Sequence, residues 1–135
     1  MPAGFAVATL SQIAHPEWSY WSPIRHAFGI RAFGINSWRK DAGETVIPEH
    51  DESGSGHEEL YLVVDGHATF TIDGVEIDAP ANSAIFVSEP RLKRTAVAND
   101  DGTHVLSIGG WPDRPFEPSE WEAKYCADVP TVAGA

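Results

Sequence analysis

His57-Glu58-Glu59-Leu60-Tyr61-Leu62-Val63-Val64-Asp65-Gly66-His67-Ala68-Thr69-Phe70-Thr71-Ile72-Asp73-Gly74-Val75-Glu76-Ile77 is the stretch whose reading decides the fold. Glu59–Val64 and Ala68–Ile72 are strand-length runs rich in β-branched and aromatic residues. Asp65-Gly66 and Asp73-Gly74 punctuate them. Glycine takes the positive φ that tight hairpin turns need, so both dipeptides predict turns and the whole stretch reads as an antiparallel meander.

The same pattern continues outward. Phe28 to Trp38 alternates with apolar groups on both faces and predicts a long strand, followed by a Lys40–Gly43 turn and a short strand over Glu44–Pro48. Asp51-Glu52-Ser53-Gly54-Ser55-Gly56 reads as a flexible polar loop. Downstream, Pro80-Ala81-Asn82 turns into a strand over Ala84–Val87, and Arg94–Ala98 and His104–Ile108 supply two more. Ser119 with Glu122 three residues on predicts a capping box that opens a short helix. About eight short strands at this spacing argue for an all-β closed barrel or sandwich. The expected organisation is a single domain over 1–135, with an N-terminal arm (1–27), a barrel (28–110) and a C-terminal extension (111–135).

Composition narrows the class. The chain has 135 residues, enough to bury a core, and 42% of them are hydrophobic. Its formal net charge of −11 repels phosphate backbones and anionic lipid, so neither nucleic acid nor a membrane is an expected partner. Cys126 stands alone and can form no internal disulfide. The apolar run Gly4–Leu10 is too short for a membrane span and lacks the basic residues of a signal peptide, so a cytoplasmic protein is expected. There is no nucleophile elbow, phosphate-binding glycine loop or dinucleotide fingerprint.

The segment around Glu59 resembles the first motif of the cupin superfamily, which runs Gly, five residues, His-x-His, three or four residues, Glu, six residues, Gly. Glu59 and Gly66 keep the last interval, and Ala68–Gly74 is similar to the family's next hairpin. The resemblance covers about residues 43–110. It implies a double-stranded β-helix (jelly-roll barrel), an internal small-molecule site and a homodimer. Elsewhere the chain departs from the pattern. Six residues separate Gly43 from His50, His-x-His reads His50-Asp51-Glu52, and six residues separate Glu52 from Glu59. The places of the second motif hold Asn82, Ser88, Pro90, Lys93 and Val97, none of which matches, so a lysine stands at the family's fourth ligand position. Asn82 can adopt the left-handed geometry of the glycine it replaces.

His57 lies two residues before Glu59, so both side chains face one side of a strand, with Tyr61 joining them. One reading makes His50, His57 and Glu59 the ligands of a divalent metal (Fe, Mn, Ni or Zn), with Tyr61, Lys93 and Arg94 lining a site for a small organic molecule. This is the ligand set of an enzyme of oxygenase or isomerase type. The other reading has no cofactor. Glu59 then pairs with Lys93 or Arg94, and a non-catalytic module binds or senses a metabolite through His57 and Tyr61. Either arrangement neutralises Glu59, as a buried carboxylate requires. His15 and His26 are expected to make ordinary polar contacts in the arm, His67 to be solvated after its turn, and His104, at the start of a strand, to lie at the surface or the barrel mouth.

Overall fold

The computed structural model describes residues 4–134, so the outermost ends of the expected arm and extension (1–3 and 135) lie outside the described residues. Nine strands and two short helices follow in the order β1 (Trp21–Ser22), α1 (Ile24–Phe28), β2 (Gly34–Lys40), β3 (Thr45–His50), β4 (Glu58–Asp65), β5 (His67–Ile72), β6 (Val75–Pro80), β7 (Ala84–Val87), β8 (Arg94–Ala98), β9 (Thr103–Gly110) and α2 (Glu120–Tyr125). They form two antiparallel sheets that face each other, of order β1-β2-β9-β4-β7 and β3-β8-β5-β6. This is the expected all-β jelly-roll barrel with a short C-terminal helix.

Strand parity builds the interior. Tyr61 and Val63 from β4, Ala68 and Phe70 from β5, Ala96 from β8 and Val105 from β9 are fully buried and pack with Val46, Ile47, Ile85 and Val87. Each large apolar side chain removed from water contributes about 1.5–3 kcal/mol. A second cluster sits outside the barrel, where Ile13, Trp21 and Ala27 of the arm meet Cys126 and Val129 of the extension. Trp21 stacks parallel on Trp38, joining this cluster to β2. An ion pair between Arg25 and Glu122 ties the arm to α2.

Several local expectations change. Phe28 ends a helix instead of opening a strand, because Gly29 caps α1 in the left-handed region at φ 67°, and the strand begins at Gly34. Ser119 does precede α2, but its side chain makes no capping bond, and Glu122 is turned to Arg25. The two Asp-Gly pairs do different work. Asp73-Gly74 is a two-residue hairpin with both φ positive (48° and 81°), joining Ile72 to its partner Val75. Asp65-Gly66 is a corner at which the chain leaves one sheet for the other, since β4 pairs with β7 and β9 and β5 pairs with β6 and β8. Asn82 adopts the left-handed geometry, at φ 72°.

The corner is tight. A Cβ at Gly66 would lie 2.6 Å from Thr103 Oγ1 and 2.7 Å from Thr103 Cα, whereas one at Gly74 would meet nothing within 4 Å. Both residues have positive φ, so Gly74→Ala should cost only the conformational penalty, about 1–2 kcal/mol. Gly66→Ala adds a backbone clash and should cost about 3 kcal/mol or more. Urea denaturation of the two variants checks this ordering.

Candidate metal and ligand site

The polar end of the barrel is organised by β8. Arg94, Ala96 and Ala98 point inward, so the guanidinium of Arg94 is fully buried, at 0% exposure. Its Nη1 donates to Glu59 Oε1 at 3.2 Å, its Nε to the Leu92 carbonyl at 2.9 Å and its Nη2 to the Glu89 carbonyl at 3.4 Å. Tyr61 also donates to Glu59 Oε1, and burial pushes its hydroxyl far above the usual phenol range. Glu59 is thus held at one oxygen by two donors. Its other oxygen accepts no hydrogen bond among the described residues.

His50 Nε2 lies 3.6 Å from Glu59 Oε1 and 3.4 Å from Glu52 Oε1. His50 Nδ1 faces the Pro48 carbonyl at 2.7 Å, a contact that needs a proton on Nδ1 and directs Nε2 toward the carboxylates. Hydrogen bonds to Glu52 and then Glu59 raise the imidazole to about 10. The loop read as flexible is folded around Glu52. Its N–H donates to the Pro90 carbonyl at 2.7 Å, its carbonyl receives Gly56 N–H at 2.6 Å, and its Oε2 receives the Ser55 hydroxyl at 2.7 Å. Burial opposes the charge on Glu52, but the bonds from His50 and Ser55 outweigh it and lower its pKa.

Donor atoms of His50, Glu52 and Glu59 all lie within 4.8 Å of one another. One imidazole and two carboxylates, with Nε2 directed inward and a free oxygen on Glu59, suit a divalent ion. Glu52 therefore stands in the group where His57 was expected, at the second place of the His-x-His pattern. His57 lies just before β4 and lines the same cavity as Glu52 and Glu59. Trp111 meets its ring edge-on at a centroid distance of 4.4 Å and Phe116 flanks it at 5.7 Å. Its Nε2 is the one buried side-chain polar atom without a hydrogen-bond partner among the described residues. Burial holds its pKa below the usual histidine value.

The cavity measures about 70 Å³. Asn36 and Ser107 form its strand walls, and Phe116, Trp121 and Glu122 of the extension cover it. Trp111 Nε1 donates to the Ser55 carbonyl at 2.6 Å, fixing the extension to the Glu52 loop. Sequence reasoning missed Asn36, Ser107 and Glu122, and only Glu122 carried a signal, one that pointed to a helix cap. Of the expected ligand-binding residues, Tyr61 and Arg94 support Glu59 from behind. Lys93, one residue out of phase with Arg94, is exposed and lines an outer depression with Glu49 and Asp73.

A second polar pair lies on β2 and β9, where Ser37 Oγ and His104 Nε2 are 2.7 Å apart and both residues are buried. Arg39 Nη2 donates to His104 Nδ1 at 3.3 Å, so the ring proton sits on Nε2 and is given to Ser37. That tautomer cannot take the serine proton, and the pair is structural.

No protein-family model matches the chain, and none of the curated proteins matches it. Among solved structures, 193 chains match. A cupin protein from Bacteroides fragilis superposes with a TM-score of 0.64 at 20% identity, over 87% of this chain and 90% of that one. KdgF from Halomonas sp. gives 0.54 at 15% identity, over 67% and 74%. A sugar phosphate isomerase of the cupin superfamily from Silicibacter pomeroyi gives 0.56 at 16% identity, over 70% and 65%. At these identities the likeness establishes the cupin fold.

The buried histidine pair makes a pH prediction with a definite sign. Burial first, and the Arg39 guanidinium after it, hold the His104 pKa below its ordinary 6.5. The unfolded chain therefore binds the proton more readily. The stability contribution is complete above pH 6.5 and is lost as pH falls through the depressed folded value. Chemical denaturation at pH 7.5 and 5.5 should show a smaller loss of stability on acidification in His104→Gln than in the wild type.

Proposed function

We propose that this cupin-fold chain holds one divalent metal ion through His50 Nε2, Glu52 and Glu59, and that the adjoining cavity receives a small organic substrate for an isomerase-type reaction. The observation that carries this reading is the convergence of those three donors, with His50 oriented by Pro48. Bound there, the ion would polarise a substrate oxygen. The chain's own groups do the rest. Arg94 and Tyr61 fix Glu59, Ser55 fixes Glu52, and Trp111, Phe116 and Trp121 limit water at the cavity. The oxygen-rich donor set favours Mn(II) or Fe(II) over Ni or Zn. The isomerase type, rather than the oxygenase type, is supported by the likeness to a protein described as a sugar phosphate isomerase. His57 is assigned to the cavity wall rather than to the ligand set.

A second reading is favoured by one observation. Arg94 already neutralises Glu59 and would repel a cation placed beside it, as a metal-free binding module requires. The two readings separate on metal content. After incubation with Mn, Fe, Ni or Zn salts and removal of excess, the first expects about one ion per chain. It also expects at least tenfold weaker loading in His50→Ala and Glu52→Gln. Loading by none of the four metals would leave the metal-free module.

Two copies, a cytoplasmic setting and the absence of a nucleic-acid partner complete the reading; the single cysteine and the acidic surface support the last two. For the dimer, the outer side of the larger sheet carries the cross-strand row Phe86–Leu60–Ile108–Ile35, with Leu62 paired to Leu106 beside it. Phe86 is 59% exposed and Phe33 lies next to it. On a chain of charge −11 this mostly apolar row, with Glu58 at its edge, is suited to meet its own copy with little repulsion. Phe86→Glu should convert a dimer to a monomer in analytical ultracentrifugation with the thermal transition preserved. A wild-type monomer at high concentration would contradict the pairing.

A further inference from the structure

We infer that the cavity beside His57 takes a small uncharged polyhydroxy compound, an aldose or ketose for which a polyol is the unreactive analogue, and rejects phosphorylated or carboxylated compounds. This rests on the reading of that cavity as the substrate site and narrows it to a chemical class. The titratable side chains on its wall are the carboxylates of Glu52, Glu59 and Glu122 together with the His57 imidazole, and neither lysine nor arginine lines it. Two guanidiniums near the wall are already engaged from behind, and a third, that of Arg114, lies over the Trp111 ring at 4.3 Å. Arg94 is bonded to Glu59 and two backbone carbonyls, and Arg25 to Glu122 and the Ile30 carbonyl, the latter at 2.7 Å.

An anionic group entering the cavity would therefore meet carboxylate oxygens, and the lining itself offers it no lysine or arginine. What the wall leaves over is unused hydrogen-bonding capacity of both kinds. The second oxygens of Glu59 and Glu122 accept no hydrogen bond among the described residues, while the Asn36 amide and the Ser119 hydroxyl make none with their donor hydrogens. A hydroxyl both donates and accepts, so a chain of hydroxyls satisfies this mixture. Its C–H edges suit the rings of Phe116 and Trp121, and a volume of about 70 Å³ limits it to a few carbons. His57, gripped by Trp111 and Phe116, is the side chain whose ring is held ready at that wall.

The test is an NMR titration of the full-length protein stripped of metal with EDTA, using erythritol, erythrose 4-phosphate and erythronate as probes. Erythritol should shift the His57 and Trp121 ring resonances saturably, and both anions should bind at least tenfold more weakly. His57→Gln should weaken erythritol binding about tenfold with the thermal transition unchanged. Should that variant not fold, Ser119→Ala at the rim carries the same expectation. An anion binding as tightly as erythritol, or erythritol giving no saturable shift, overturns the inference. Because no metal is present, these outcomes are independent of metal loading. Failed loading leaves the polyol preference standing, and a lost preference in a protein that loads metal removes this inference alone.

Discussion

Everything at the polar end of this barrel depends on one buried ion pair, Arg94 with Glu59. The guanidinium has no exposed surface and Glu59 is only 14% exposed. Either charge alone in that setting would be strongly unfavourable, and removing one partner of such a pair typically costs about 3–5 kcal/mol. The pair is stable because the remaining donors of Arg94 reach the carbonyls of Leu92 and Glu89, and because Tyr61 adds a second donor to the same carboxylate oxygen. The result is a carboxylate fixed in one orientation, with Oε1 also facing His50 and its other oxygen accepting no hydrogen bond among the described residues. A loosely held glutamate would not define a site, whereas this one sets where Glu52 and His50 must converge.

The surrounding chain serves that geometry. The loop after β3 wraps its hydrogen bonds around Glu52. The extension after β9 returns across the opening, anchored at Trp111 to Ser55 and at Glu122 to Arg25. The arm and the segment after α2 form a second apolar cluster, and the extension lines the cavity through Phe116, Trp121 and Glu122. The barrel and the loop after β3 bring His50, Glu52 and Glu59 together, and the terminal segments supply the enclosure.

Much of the fold was legible because strand signals are local. The β-branched runs, the Asp73-Gly74 hairpin and the left-handed Asn82 follow from side-chain shape and backbone sterics within a few residues. Asp65-Gly66 looked equivalent, yet which strand β4 pairs with is decided by β9, some forty residues on, and no local signal separates a hairpin from a corner between sheets. The site divides the same way. Glu59 could be read from its interval to Gly66 and His50 as the histidine near the motif's first place, and Glu52 stood where the pattern has a histidine. Parity put His57 and Glu59 on one cavity but carried no distance, and the imidazole of His57 belongs among aromatic rings contributed by a distant segment. Lys93 and Arg94 show how sensitive parity is. A one-residue difference in register exchanges an exposed ammonium for a buried guanidinium. Asn36, Ser107 and Glu122 gave no warning, since an ordinary strand residue becomes a wall only through tertiary placement.

The most direct measurement is anomalous diffraction from crystals grown with Mn(II). Convergence of three donors on one point requires a single strong peak bounded by His50 Nε2 and the carboxylates of Glu52 and Glu59, with Arg94 still paired to Glu59. A map showing His50 bonded between the two carboxylates, and manganese absent or lodged only on surface acids, would contradict the metal centre outright.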